Sequence, residues 1–294
     1  LDILTEISKK GHKKKANGCL ILVIVVAVLI LISFVAAIYF ASYRYLTLRQ
    51  ESKKASEHLM KQSEQKIQQA AQSIAKSAGD FEERIDTLSK SVEIQKLLEG
   101  EDKEVVEAAR KIFQDYKETN QEIKAIFLGT ADKRMYIYPE MELPEGYDPT
   151  SRSWYTNAVQ KNEFTWSDSY VDIATGEVLI TLSLPMHHNN EIKGVLSVDL
   201  NLGFIVEEIK EISLGKNGNV MITDQNGILL MHPDKALIGM PIPVDALKNI
   251  ADLGDMGLIK YTYQGVNQIA AYSKIDKFNL TLIGLINKEQ GGIQ

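Results

Sequence analysis

The chain has 294 residues, 45% of them apolar, which allows one large or two small domains with a real core. Its one cysteine, Cys19, excludes an intrachain disulfide, so cysteine usage gives no redox compartment. The net charge of −6 is uneven: residues 1–43 carry +3 and the rest −9, which argues against nucleic acid as a partner of the acidic body.

Leu1 stands where a methionine would start a chain, which fits a fragment or a processed form. No charge occurs between Lys15 and Arg44, and Cys19 to Ala41 is almost wholly Leu, Ile, Val, Ala and Phe. As a helix this run reaches about 35 Å, enough for a hydrocarbon core of about 30 Å. A cleaved signal peptide would be shorter and end at small residues. Tyr39, Tyr43 and Tyr45 suit an interfacial belt instead. Lys9, Lys10, Lys13, Lys14 and Lys15 precede the span, which puts residues 1–17 in the cytoplasm, a transmembrane helix at 18–42 and the rest outside.

From Leu46 to Leu98 there is no proline, and apolar residues recur at Ile67, Ala71, Ile74, Ala78, Phe81, Ile85, Leu88 and Val92. Steps of four and three make a heptad seam, so residues 43–99 are expected to form a long stalk helix ended by Gly100. So long a helix needs a partner for its seam: a second copy of the chain, or its own downstream domain.

An amphipathic helix follows, with Val105, Ala109, Ile112, Phe113 and Tyr116 on one face. Strands are expected at 123–129, 134–138, 177–186 and 192–200, with turns at 131–133, 175–176 and 189–190. Pro139, Pro144 and Pro149 mark a loop, and residues 151–160 read as a helix capped by Thr150 or Ser151. A helix at 204–212 leads to a second set: strands at 219–223 and 227–231 around Gln225–Asn226–Gly227, a helix at 244–251, strands at 258–263 and 269–273 around Gln264–Gly265, and a last strand at 280–287. The fold class is therefore α+β: an N-terminal transmembrane helix, a long stalk helix and two PAS-like modules with antiparallel sheets, at 100–212 and 213–290.

Tyr147 to Asp199 carries the recognisable chemistry. Arg152 can fork onto a carboxylate. Trp154 and Tyr155 can donate to the same group or pack in the core. Tyr170 and Asp172 share a strand face, and Asp199 lies on an apolar strand where an unpaired carboxylate is costly. The two aspartates can take up an ammonium, or Arg152 itself can bridge to one of them. Ile126, Leu128, Met135 and Ile137 are candidates for reading a ligand side chain.

The spacing of Tyr147, Arg152, Trp154, Tyr155, Tyr170, Asp172 and Asp199 resembles the amino-acid signature of double Cache domains, the sensors of bacterial methyl-accepting chemotaxis proteins. The resemblance spans roughly residues 45–290. It implies an extracytoplasmic, inner-membrane-anchored sensor that dimerises through its stalk, a membrane-distal module that binds an amino acid, and a membrane-proximal module that relays. Receptors of this type continue into a second transmembrane helix, a HAMP linker and a signalling domain. This sequence stops at Gln294, so either it is a fragment or its output lies in another protein; the same sensor also serves histidine kinases and diguanylate cyclases.

No zinc spacing, phosphate loop or GxSxG occurs, so neither a cofactor, a metal nor an enzyme is expected. His187 and His188 are expected in a turn with Asn189 and Asn190, and Gly215 to Asn219 in a tight turn. The rival functions are a membrane-anchored coiled-coil scaffold that binds protein, and a hydrolase using Ser167 or His188.

Overall fold

The computed structural model describes residues 2–172, 177–210, 212, 214, 218–242, 252–263 and 266–286. The expected helix at 244–251 and the turns at 175–176, 215–217 and 264–265 lie outside them. Two compact units divide the chain, residues 1–58 and 59–294. In the first, helix α1 (Asp2–Ser89) is long and apolar enough to cross a membrane, its most apolar stretch having a mean hydropathy of 3.0. Side chains from Ile24 to Phe40 in this unit are exposed.

The second unit holds the rest of α1, α2 (Val92–Lys96), α3 (Lys103–Thr119) and two antiparallel sheets. Sheet one contains β1 (Ile123–Thr130), β2 (Met135–Tyr138), β3 (Thr165–Trp166), β4 (Tyr170–Val171), β5 (Val178–His188) and β6 (Glu191–Asn201), in the order β2-β1-β6-β5-β3, with β4 also on β5. A single turn of 3-10 helix (Pro149–Ser151) and α4 (Ser153–Lys161) lie between β2 and β3. After α5 (Gly203–Lys210), sheet two contains β7 (Asn219–Asp224), β8 (Leu229–Met231), β9 (Met256–Tyr263), β10 (Val266–Ile275) and β11 (Leu280–Ile286), in the order β8-β7-β11-β10-β9. The α+β class with two antiparallel sheets is as expected.

The seam of α1 is covered by its own chain. Ile67, Ala71, Ile74, Ala78, Phe81, Ile85 and Leu88 join one continuous core with residues of both sheets, such as Leu196 and Leu282. Against sheet two the approach is close: a Cβ on Gly284 would stand 2.7 Å from Ile67 Cδ1. Towards sheet one, Arg84 donates to Asn120 Oδ1 at 2.8 Å and meets Glu122 at 3.4 Å. Val92 departs from the seam and is 61% exposed. Helix α1 ends at Ser89, before Gly100, and the restart at α2 resets the helical phase so that Ile94 and Leu97 turn inward instead.

Asn189 and Asn190 take positive φ (53° and 64°), so they alone form the tight turn between β5 and β6. His187 and His188 are not in it: they pair with Ile192 and Glu191 as the last residues of β5.

Candidate ligand-binding site

A cavity of about 760 Å³ opens on one face of sheet one. Register fixes its floor. Ile137, Phe127, Ser197, Ser183 and Thr165 are cross-strand partners in one row, and Asp199 and Thr181 are partners in the next. Directly paired residues share a face, so the floor is apolar towards β2 and polar towards β5. Ile126 and Leu128 have the opposite parity to Phe127 and are fully buried in the core under the sheet. Of the four side-chain candidates, only Met135 and Ile137 line the cavity, with Phe127 beside them.

The roof comes from the loop and α4. Asp148 accepts from Thr150 N at 2.9 Å and Thr150 Oγ1 at 2.6 Å, and pairs with Lys133 at 2.8 Å. Chiefly because of Lys133, its carboxyl is lowered to about 2. Asp148, rather than Thr150 or Ser151, is thus the cap, and what it caps is the 3-10 turn. Helix α4 starts later: Arg152 is its extended N-cap residue, and no side chain closes it. Ser153 and Trp154, the first two residues of α4, line the cavity, so the N-terminus of a helix that no side chain caps adjoins it and favours an anion there. Trp154 rests on the sheet where β1 has glycine. A Cβ on Gly129 would stand 2.7 Å from Trp154 Cη2 and 2.8 Å from Pro149 Cβ.

Tyr147, Arg152, Trp154, Tyr170 and Asp199 all line the cavity. Arg152 is exposed towards it, with its guanidinium carbon 4.6 Å from the centre of the Tyr147 ring. Among the described residues it forms no ion pair, so the bridge to Asp172 or Asp199 considered from the sequence does not occur. Asp199 accepts from Thr181 Oγ1 at 2.7 Å. Burial pushes its carboxyl up to about 6 against the opposing pull of Thr181 and Tyr170, and the charge of Asp172 adds to the rise. Burial, and then Asp199, likewise raises the Tyr170 phenol.

Two residues of the expected set face elsewhere. Tyr155 is buried with Ala158 and Val195 behind α4. Asp172 follows β4 outside the lining, where it acts on Asp199 only through its charge. The cavity also contains groups the sequence reading passed over: Asn157, Lys161, Asp168, Ser169 and Asn279. Among the described residues, Ser169 Oγ is buried and has no hydrogen-bond partner. Ser167 Oγ is tied to the Asp168 carbonyl and to Thr181 N, and His188 lies outside the cavity near Glu99, so they form no catalytic pair.

The Cache domain family model (dCache_1) matches residues 52–290. The chain belongs to the Cache domain family. Among curated relatives, methyl-accepting chemotaxis protein TlpB of Bacillus subtilis is 33% identical over 54% of this chain and 25% of its own length. McpC of the same organism is 28% identical over 76% of the chain and 32% of its own length. The chain thus spans a quarter to a third of these relatives. Among solved structures, the ligand-binding domain of the Pseudomonas aeruginosa amino acid chemoreceptor PctB, in complex with L-Arg, superimposes with a TM-score of 0.62 at 20% identity, covering 81% of this chain and 100% of that one. The sensory domain of the Campylobacter jejuni chemoreceptor Tlp3, with isoleucine bound, gives 0.64 at 18% identity, covering 79% and 94%. These likenesses bear out the Cache fold expected from the family match.

Proposed function

We propose that this Cache protein is the sensor portion of a membrane-anchored chemoreceptor and binds an amino acid in the sheet-one cavity. The observation that carries the reading is a charge arrangement: one cavity holds a guanidinium with no anionic partner among the described residues and a carboxylate whose burial disfavours its charge. A zwitterion supplies both missing partners. In this reading Arg152 forks onto the ligand carboxylate, helped by the open end of α4 and stacked on Tyr147. Trp154 walls off water. Asp199 takes the ammonium, Tyr170 flanks it, and Asp172 adds negative potential from behind. Tyr155 holds α4 on the sheet. The partnerless Ser169 hydroxyl is a further contact for the ligand.

The relatives are methyl-accepting chemotaxis proteins, and PctB and Tlp3 hold amino acids, which favours this class of ligand and of output. In this reading the lysines before the apolar run stay in the cytoplasm, and residues beyond Arg44 lie outside a bacterial inner membrane. A homodimer would use faces of α1 other than its buried seam.

The test is a thermal-shift and calorimetric screen of the full chain in lipid nanodiscs against the common L-amino acids, each singly. At least one should raise the melting temperature of the wild type and leave Arg152→Ala unmoved. No stabilisation by any of them, or an equal response from Arg152→Ala, would end the proposal.

A further inference from the structure

The two sheets and α1 meet beside the cavity. Trp166, on β3, donates its indole Nε1–H to Glu82 Oε1 of α1 at 2.8 Å. Lys277, in the β10–β11 turn of sheet two, reaches the other oxygen, Oε2, also at 2.8 Å. The Trp166 ring meets Phe278 edge-on, with centroids 4.6 Å apart, and Phe278 is fully buried. The next residue, Asn279, donates from Nδ2 to Asp168 Oδ1 at 2.9 Å. Asn279, Asp168 and Trp166 all line the cavity. A side chain of sheet two therefore forms part of the wall of the site on sheet one.

We infer that the Phe278–Asn279 turn is the contact by which sheet two reads occupancy of the cavity, and that Asn279 is a positioning residue for the wall segment Ser167–Ser169. The inference rests on the amino-acid reading of that cavity. Between the two-residue strands β3 and β4, Ser167 is still tied to β5, donating its N–H to Thr181 O at 2.8 Å and accepting at Oγ from Thr181 N at 2.9 Å, while Asp168 is exposed and held by Asn279. A ligand that engages the Ser169 hydroxyl pulls on a segment whose outer tether is in sheet two. That pull reaches Asn279 directly and Phe278 through the Trp166 ring. Since Glu82 grips both Trp166 and Lys277, α1 feels the same displacement. Coupling of this kind is reciprocal: if ligand moves the turn, loosening the turn must change affinity for ligand.

Asn279 sits in the left-handed region at φ 51°, where glycine is accommodated without strain. Asn279→Gly therefore removes the side-chain amide and keeps the turn. The experiment is hydrogen–deuterium exchange on the full chain in nanodiscs, with and without the L-amino acid that stabilises it most among the common ones. In the wild type the amino acid should slow exchange both at Ser167–Tyr170 and at Ile275–Leu282. In Asn279→Gly the second protection should disappear and Kd weaken by about two- to tenfold, the range of one hydrogen bond. Unchanged exchange in β9 and β6 checks that the variant is folded, and Phe278→Leu, which keeps an apolar side chain, should show the same loss in weaker form. Protection confined to sheet one in the wild type overturns the relay and leaves the binding site standing. So does an Asn279→Gly chain with wild-type Kd and wild-type protection at Ile275–Leu282. If no L-amino acid binds at all, the reading of the cavity falls and the relay with it.

Discussion

Replacing Asp199 by asparagine removes a charge that the folded protein holds at a cost when no ligand is present. Its carboxyl is pushed from 3.8 up to about 6, with burial as the leading cause. The folded state therefore binds this proton more tightly than the unfolded chain does. The penalty is absent below pH about 4, grows between about 4 and 6, and is complete above that, where it reaches about 3 kcal/mol. Asparagine keeps the shape and the hydrogen bond with Thr181 but is itself polar, so about 1–3 kcal/mol of that penalty should be recovered. For a unit of this size the apparent Tm should rise by about 3–10 °C at pH 7.5, with the gain gone at pH 4. Scanning calorimetry of both chains in nanodiscs at the two pH values measures this. On the proposed reading the same variant should also lose any stabilisation by amino acids, because a ligand ammonium would have lost its partner. A variant less stable than wild type at pH 7.5 would show that the carboxylate is a net structural asset through Thr181, and the argument from its raised pKa would be wrong.

If Asp199 takes a ligand ammonium as proposed, binding should depend on pH: affinity for a zwitterion should be flat above pH 7 and fall by about tenfold by pH 5, as titration calorimetry can follow. Arg152→Ala should leave the ligand-free Tm within about 1 °C, since an exposed residue with no ion pair among the described residues contributes little, while on the proposed reading Kd weakens by about tenfold or more. Gly129→Ala drives a methyl group into Trp154 and Pro149; we expect a loss of about 1–3 kcal/mol in chemical denaturation and weaker binding, because the roof must lift. Asp148→Ala should unpin the Pro149–Ser151 turn and weaken ligand binding more than it lowers Tm, an ordering that parallel binding and melting measurements would check.

The elements were legible wherever one face of a segment is apolar. The α1 seam, α3 and the β5–β6 hairpin all follow from periodicity. The site was legible as a spacing but not as an orientation. Trp154 and Tyr155 are neighbours on a helix, so their directions differ by about 100° and only one can face the cavity; the sequence does not say which. Strand β1 is buried on both faces from Ile126 onward, so its apolar run has no alternation to show that Phe127, rather than Ile126 or Leu128, points to the cavity. Strands β3 and β4 have two residues each, too few for any period. Asn279 lies far along the chain in the turn between β10 and β11, and its only local signal is an asparagine placed to end a turn.

The sharing of one α1 stripe between two sheets makes the length of that helix a ruler. Ile67 meets sheet two at Gly284, Arg84 meets Asn120 and Glu122 on the way into β1, and Glu82 holds Trp166 of sheet one together with Lys277. One residue inserted between Ile74 and Phe81 would rotate everything beyond it by about 100° and advance it by about 1.5 Å. The two halves of the stripe would then point in different directions, and no local repacking could satisfy both. Seven inserted residues would nearly restore the angle but separate the modules by about 10 Å. Indels should therefore be tolerated in the hairpin turns and rejected between residues 67 and 84, although that stretch looks from its composition like an ordinary spacer.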